Sequence, residues 1–149
     1  MFSIYWYVIS TLLKVKMKVT NLQKALLALR LGVFIVMIMW TIDKFINPVH
    51  ASKVFSHFYL IDGITNNLSY IIGFVQLIFV VGFVVGAKKR WTYGFVFLMH
   101  AVSTLSTYKM YMDPWGPRNL LFFAAWPMLA AIYALYILRD QDTLLTVDK

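Results

Sequence analysis

The chain has 149 residues, of which 61% are hydrophobic and 13% charged, with a formal net charge of +8. Soluble proteins average roughly 45–50% apolar and 25% charged residues, so a single domain of this length could not bury this much apolar surface. The composition therefore predicts an integral membrane protein. It has no cysteine, which excludes disulfides and thiolate chemistry. Nine of the fourteen lysines and arginines lie in three places separated by long uncharged stretches. This distribution is typical of membrane topology and argues against a nucleic-acid partner.

The first 24 residues form a basic and aromatic arm. Residues 2–13 are apolar but too short to cross a bilayer core of about 30 Å, and Lys14, Lys16 and Lys18 follow them. This pattern is typical of an interfacial helix on the inner leaflet. Alternatively, the membrane or a neighbouring subunit simply orders the arm.

Four later segments are long and apolar enough to cross the bilayer as helices: about residues 25–46, 68–87, 91–111 and 119–138. The sequence therefore predicts an all-α membrane protein whose residues 25–138 form a four-transmembrane-helix bundle, followed by a cytoplasmic tail at 139–149. Asn47 and Pro48 give a helix-start signal after the first span. They predict a short amphipathic helix in the first outer loop.

The distribution of lysine and arginine predicts the orientation. With the N-terminus inside, the cytoplasmic side carries nine of them and the outer loops carry four, which fits the positive-inside rule. The nine are Lys14, Lys16, Lys18, Lys24, Lys88, Lys89, Arg90, Arg139 and Lys149, and the four are Lys44, Lys53, Lys109 and Arg118. An even number of spans then returns the C-terminus to the cytoplasm.

Arg30 and Lys44 are the first candidate site residues. They lie on the first span, on faces within about 40° of each other and about 21 Å apart along the axis. One interpretation is that both side chains extend to lipid phosphates, one in each leaflet. The other is that they contact an anion or a quinone head group, because a charge within a span is costly and often functional.

The third span carries a polar stripe. His100, Ser103, Thr104 and Thr107 share one helical face, which we expect to point into the bundle. Such side chains commonly bond to neighbouring helices as packing contacts. A histidine at mid-membrane depth can also carry protons or hold a quinone carbonyl. No metal site is predicted, since no carboxylate lies at ligand spacing.

Gln76 and Trp126 complete the candidates for interior polar contact. Gln76 lies in the middle of the second span, where we expect it to bond across the bundle to His100 or Arg30. Trp126 precedes Pro127 within the fourth span, and a proline there is expected to bend the helix. The bend could open a cavity or only fit a neighbouring helix. No catalytic residue is predicted.

Short motifs resemble the DoxX family of four-helix bacterial membrane proteins. Leu29-Arg30, Lys44-Phe45 and Asn47-Pro48 resemble the family's Leu-Arg, Lys-Leu and Asp-Pro run at matching spacing. Gly73, Gln76 and Gly86 before the basic turn resemble its Gly-x-x-Glu, Gly and Thr-Arg stretch, with Gln76 where the family usually has glutamate. The resemblance covers about residues 25–110.

The resemblance implies a bacterial inner-membrane protein, in some members a subunit of a thiosulfate:quinone oxidoreductase or a quinol oxidase.

The sequence as a whole leaves three hypotheses for the function. The first is an accessory or structural subunit of a larger membrane complex, not catalytic on its own, with lipid and other membrane subunits as partners. The second is a quinone-linked oxidoreductase subunit with quinone as cofactor. The third is a small transporter or lipid-handling protein.

Overall fold

A computed structural model describes residues 2–148, with the side chains of residues 21–148. Within the described residues there is no strand, so the prediction of an all-helical chain is confirmed. The helices are α1 (Phe2–Ile46), α2 (Pro48–Tyr59), α3 (Asn66–Val84), α4 (Lys89–Ser106), α5 (Tyr108–Met112), a 3-10 helix (Asn119–Ala124) and α6 (Ala125–Ile137).

Three helical stretches of the described chain are long and apolar enough to cross a membrane: Asn21–Ile46, Asn66–Val84 and Asn119–Ile137. These three helices could span a membrane, which is consistent with the prediction of a helical membrane protein. Helix α4 has 18 residues and corresponds to the third span predicted from the sequence, at about residues 91–111. Lys89, Arg90 and His100 lower its mean hydropathy, so apolarity alone does not mark it as a span.

Helix α1 is continuous from Phe2 to Ile46, with no break between the predicted arm and the first span. The prediction that the arm lies on a membrane surface depends on the side chains of residues 1–20. Those side chains lie outside the described part of the chain. The interfacial position of the arm therefore stays a prediction.

Residues 21–46 of α1 have one buried face and an apolar outer face. Its buried side chains recur every three or four residues and are Leu26, Arg30, Val33, Met37 and Thr41. The spacing matches one side of a 3.6-residue helix. Large apolar residues, such as Ile35 and Met39 at 62% exposed each, cover the opposite side. Two of the five buried residues are polar, so the inner face of α1 is more polar than its outer face.

Helix α4 packs between α3 and α6, and aromatic rings hold it on both sides. The rings of Phe79 and Phe95 stack with centroids 3.8 Å apart, and those of Phe83 and Tyr93 lie 4.8 Å apart. Towards α6, Phe97 stacks on Tyr136 at 6.0 Å. Such pairs contribute roughly 0.5–1.5 kcal/mol each beyond their buried area. Helix α4 is thus an integral part of the bundle.

The two ends of the bundle differ. Helix α2 and the loop after it cover the end where α1 stops, and the Ser52 hydroxyl donates to the carbonyl oxygen of Ile64 at 2.9 Å. The opposite end carries the turn between α3 and α4 and the residues that follow α6. We call residues 139–148 the tail, and this second end the tail end.

Pro127 does not bend the middle of a long helix, as the sequence had suggested. The chain forms a 3-10 helix over Asn119–Ala124, and the α-helix begins only at Ala125. Pro127 therefore lies in the first turn of α6, where an amide N–H has no intrahelical partner and proline is tolerated. The expected bend is replaced by a change of helix type ahead of the proline.

Gly82 allows the close approach of α3 and α4. A Cβ atom there would lie 2.7 Å from the Cγ2 atom of Thr92, whose hydroxyl is bonded to the carbonyl oxygen of Ala87 at 2.8 Å. We expect Gly82→Ala to lower the free energy of unfolding by about 1–3 kcal/mol through overpacking.

The matched control is Gly32→Ala, because a Cβ atom at Gly32 would meet nothing within 4 Å. Thermal unfolding of the purified variants in detergent measures both effects. Gly32→Ala should match or exceed the wild type, since alanine is the better helix former. Equal losses in the two variants would contradict this packing.

Candidate functional site

The tail folds back onto the turn between α3 and α4. The amide of Val147 donates to the carbonyl oxygen of Val85 at 2.9 Å, and that of Asp148 to Gly86 at 3.2 Å. Gly86 has a φ of +62°, a left-handed conformation that ends α3 and favours glycine. A Cβ atom at Gly86 would lie 2.5 Å from the Cγ2 atom of Thr146 and 2.9 Å from Nη1 of Arg30. Glycine therefore leaves room for both the tail and Arg30.

Beneath the tail, four side chains from α1, α4 and the tail form what we call the Arg30 cluster: Arg30, Lys89, Tyr93 and Asp142. Nη1 of Arg30 lies 3.4 Å from Oδ2 of Asp142 and donates to the Tyr93 hydroxyl at 3.3 Å. The Tyr93 hydroxyl donates to the same Oδ2 atom at 2.7 Å. Nζ of Lys89 donates to the main-chain oxygen of Asp142 at 2.9 Å.

Main-chain oxygens of the tail complete the surroundings of Arg30. Its Nη2 atom donates to the carbonyl oxygen of Leu144 and, at 3.4 Å, to that of Leu145. The side chains of Arg30 and Asp142 are both fully buried. A buried charge without a partner is strongly destabilising, so each of these two groups depends on the other.

The cluster is not fully satisfied. Nε of Arg30 and Oδ1 of Asp142 are both buried and have no hydrogen-bond partner in the part of the chain whose side chains are described. Buried polar atoms are normally paired. The cluster therefore keeps one buried donor and one buried acceptor that its own side chains do not use.

The structure separates Arg30 from Lys44, the other basic candidate on α1. Arg30 is buried within the Arg30 cluster and does not reach the outer surface of the bundle. Nζ of Lys44 donates to the carbonyl oxygen of Trp40, one turn earlier, at 3.0 Å. The predicted stripe thus consists of two cations with different surroundings, one inside the protein and one near its surface.

The structure also does not join Arg30, Gln76 and His100 into one hydrogen-bonded site. Gln76 is buried, at 5% exposed, but neither Arg30 nor His100 bonds to it. His100 is half-buried, and its Nε2 atom lies 3.1 Å from the carbonyl oxygen of Ala125. It follows Tyr93 by seven residues, which is about 10 Å along α4. Arg30 and His100 therefore have separate polar contacts, and Gln76 is bonded to neither of them.

The remaining candidates lie around His100. The Thr104 hydroxyl donates to the main-chain oxygen of His100 at 2.8 Å, within its own helix. Ser103 is half-buried, and its carbonyl oxygen accepts from the Ser106 hydroxyl at 2.9 Å. Trp126 is 46% exposed and packs on the ring of Tyr111 at 5.7 Å. Contacts of this kind are typical of side chains that pack helices together.

Sequence reasoning missed Tyr93 and Asp142 and used Lys89 only for orientation. Tyr93 is 63 residues from Arg30 in sequence, and Asp142 is 49 residues from Tyr93. No local pattern links positions so far apart. One signal was present: an arginine within an apolar span requires a partner, and Asp142 lies directly after the last span.

No family model matches the chain, and comparisons with curated proteins and with solved structures also find no match. The resemblance to the DoxX family rests on the short motifs described above and stays a prediction. The function must therefore be inferred from the geometry of the chain itself.

Removing the Asp142 carboxylate should destabilise the folded protein. Asp142→Ala leaves Arg30 buried without its counter-charge, and we expect a loss of about 3–5 kcal/mol in the free energy of unfolding. Tyr93→Phe removes the hydroxyl that donates to the carboxylate, with an expected loss of about 1–2 kcal/mol.

Asp140→Ala is the matched control, because Asp140 is an exposed aspartate two residues away in the same tail. It should change the stability by no more than about 0.5 kcal/mol. Thermal melts of the four proteins in one detergent provide the comparison. An Asp142→Ala protein as stable as the Asp140→Ala protein would show that the ion pair contributes little.

Proposed function

We propose that this chain is a DoxX-like, four-span protein of a bacterial inner membrane that acts as an accessory or structural subunit of a larger membrane complex. The observation that carries the proposal is the division between surface and interior. The outer faces of the helices are apolar, and the polar groups at the tail end are bonded mainly to other groups of the same chain.

The outer surface favours contact with lipid or with another membrane subunit. Exposed large apolar side chains occur on every candidate span, including Phe74 at 59% and Tyr133 at 52% exposed. Contiguous exposed apolar surface on this scale is unusual in soluble monomers and is typical of membrane or protein contact. In lipid, such faces need no further covering.

The interior favours a supporting role over catalysis. Arg30, the most deeply buried charge among the predicted site residues, is bonded to Tyr93, Asp142 and tail carbonyls. His100 contacts a main-chain oxygen. Contacts of this kind hold helices and the tail together, and they occupy most of the polar groups that a substrate would otherwise contact.

The packing of α4 supports a fourth crossing. Its 18 residues correspond to about 27 Å, close to the thickness of a bilayer core. It follows α3 through a turn of four residues and lies against both α3 and α6. A helix held between two spans crosses with them, and its polar residues can face the bundle instead of lipid.

The tail end supports an orientation with both termini in the cytoplasm. It brings the tail next to the α3–α4 turn, so these two parts share one side of the membrane. That turn contains Lys88, Lys89 and Arg90, and basic loops remain inside.

Labelling of single cysteines tests the span count and the orientation, because the chain has no cysteine of its own. Lys53→Cys should react with a membrane-impermeant maleimide on intact cells. Lys88→Cys and Asp140→Cys should react only after the cells are permeabilised. Reaction of Asp140→Cys from outside would contradict four spans, and reaction of Lys88→Cys from outside would contradict the orientation.

Native purification tests the accessory role. Extraction in mild detergent should yield the chain in a complex with other membrane subunits that keeps its composition through size separation. Migration only as a monomer or a small homo-oligomer would count against the proposal. Quinone that co-purifies with the wild type, and is lost from His100→Ala, would favour the quinone-linked alternative instead.

A further inference from the structure

The Arg30 cluster carries more positive than negative charge. Arg30 and Lys89 are two cations, Asp142 is one carboxylate, and none of the three is more than 8% exposed. Helix α4 begins at Lys89, and the N-terminal end of a helix carries a partial positive charge. Because charge is poorly screened in a buried site, a second anion would be stabilised there.

The Asp142 carboxylate does not use all of the donors around it. Its Oδ2 atom accepts from Tyr93 and lies 3.4 Å from Nη1 of Arg30, longer than the 2.7–2.9 Å of a good charge-assisted bond. Nε of Arg30 has no partner within the described side chains. A guanidinium binds a carboxylate or phosphate best through two parallel N–H groups. Asp142 therefore leaves a donor that a differently shaped anion could use.

The tail itself is held mainly by polar contacts. Of its three large apolar residues, Leu145 and Val147 are 82% and 69% exposed and Leu144 is half-buried, so docking the tail buries little apolar surface. Leu145 also has a φ of +51°, a left-handed conformation that is unfavourable for leucine. Little apolar burial opposes undocking, and a competing anion could displace the tail.

We propose that Arg30, Lys89 and the start of α4 form a binding site for a phosphate group, and that Asp142 occupies this site as an internal competitor. When phosphate binds, the guanidinium of Arg30 and the ammonium of Lys89 contact its oxygens, and the tail leaves the α3–α4 turn. The phosphate belongs either to a lipid head group or to a free ion. The site does not require the accessory role or the DoxX resemblance.

The test compares phosphate binding to the full-length protein in detergent. Inorganic phosphate is titrated by calorimetry against sodium chloride of equal ionic strength, and phosphatidylglycerol is counted by native mass spectrometry against a phosphate-free glycolipid. Asp142→Asn keeps the shape of the side chain but removes its charge. We expect it to bind phosphate about tenfold more tightly than the wild type, because phosphate then no longer competes with the charged carboxylate of Asp142.

Two pairs of variants at nearby positions distinguish binding at this site from binding to surface charge. Lys89→Gln should weaken binding in the Asp142→Asn background, whereas Lys88→Gln, one residue away and exposed, should leave it unchanged. Asp140→Asn should bind phosphate as the wild type does. Size-exclusion profiles and circular dichroism confirm that each variant is folded.

The outcomes are distinct. Tighter binding of inorganic phosphate by Asp142→Asn supports a site for the free ion, and tighter binding of phosphatidylglycerol alone supports a lipid head group. If Asp142→Asn binds neither probe more tightly than the wild type, the proposal is wrong. Equal effects of Lys88→Gln and Lys89→Gln would also overturn it, because the binding would then be non-specific.

Discussion

The contact between Arg30 and the tail is the constraint on which the arrangement of this bundle depends. An arginine on an otherwise apolar span is costly in a membrane unless it has a partner. The first span supplies no acidic residue near Arg30, and its nearest aspartate, Asp43, lies about three and a half turns away. The chain provides the counter-charge through Asp142, from beyond its last helix. Residues after the bundle therefore contribute to its interior.

This solution restricts the surrounding sequence. The tail must pass close to the α3–α4 turn, which requires a residue without a side chain at Gly86. Lys89 and Tyr93 lie one turn apart on α4, so both reach Asp142 from the same helix face. The aromatic contacts of Phe83 and Tyr93 then link the polar cluster directly to the apolar core.

Sequence patterns were sufficient for the helical architecture but not for the cluster. Long apolar runs indicate helices because backbone groups must bond internally in lipid. The tight turn at Lys88 follows from the few residues between the second and third predicted spans. The start of α6 was missed, since a proline in an apolar run does not reveal whether a 3-10 segment precedes it. The partners of Arg30 were missed because their pairing depends on tertiary structure. Gln76 is buried and His100 is half-buried, and the separation between them depends on helix rotation and depth, which no local pattern specifies.

Hydrogen–deuterium exchange of the C-terminal peptide measures the docked tail most directly. In the wild type, the amides of Val147 and Asp148 donate to the α3–α4 turn. They should exchange far more slowly than in a free peptide of the same sequence. Arg30→Gln should bring them to the free-peptide rate while the helices remain protected. Free exchange of these amides in the wild type would contradict the docked tail and the account built on it.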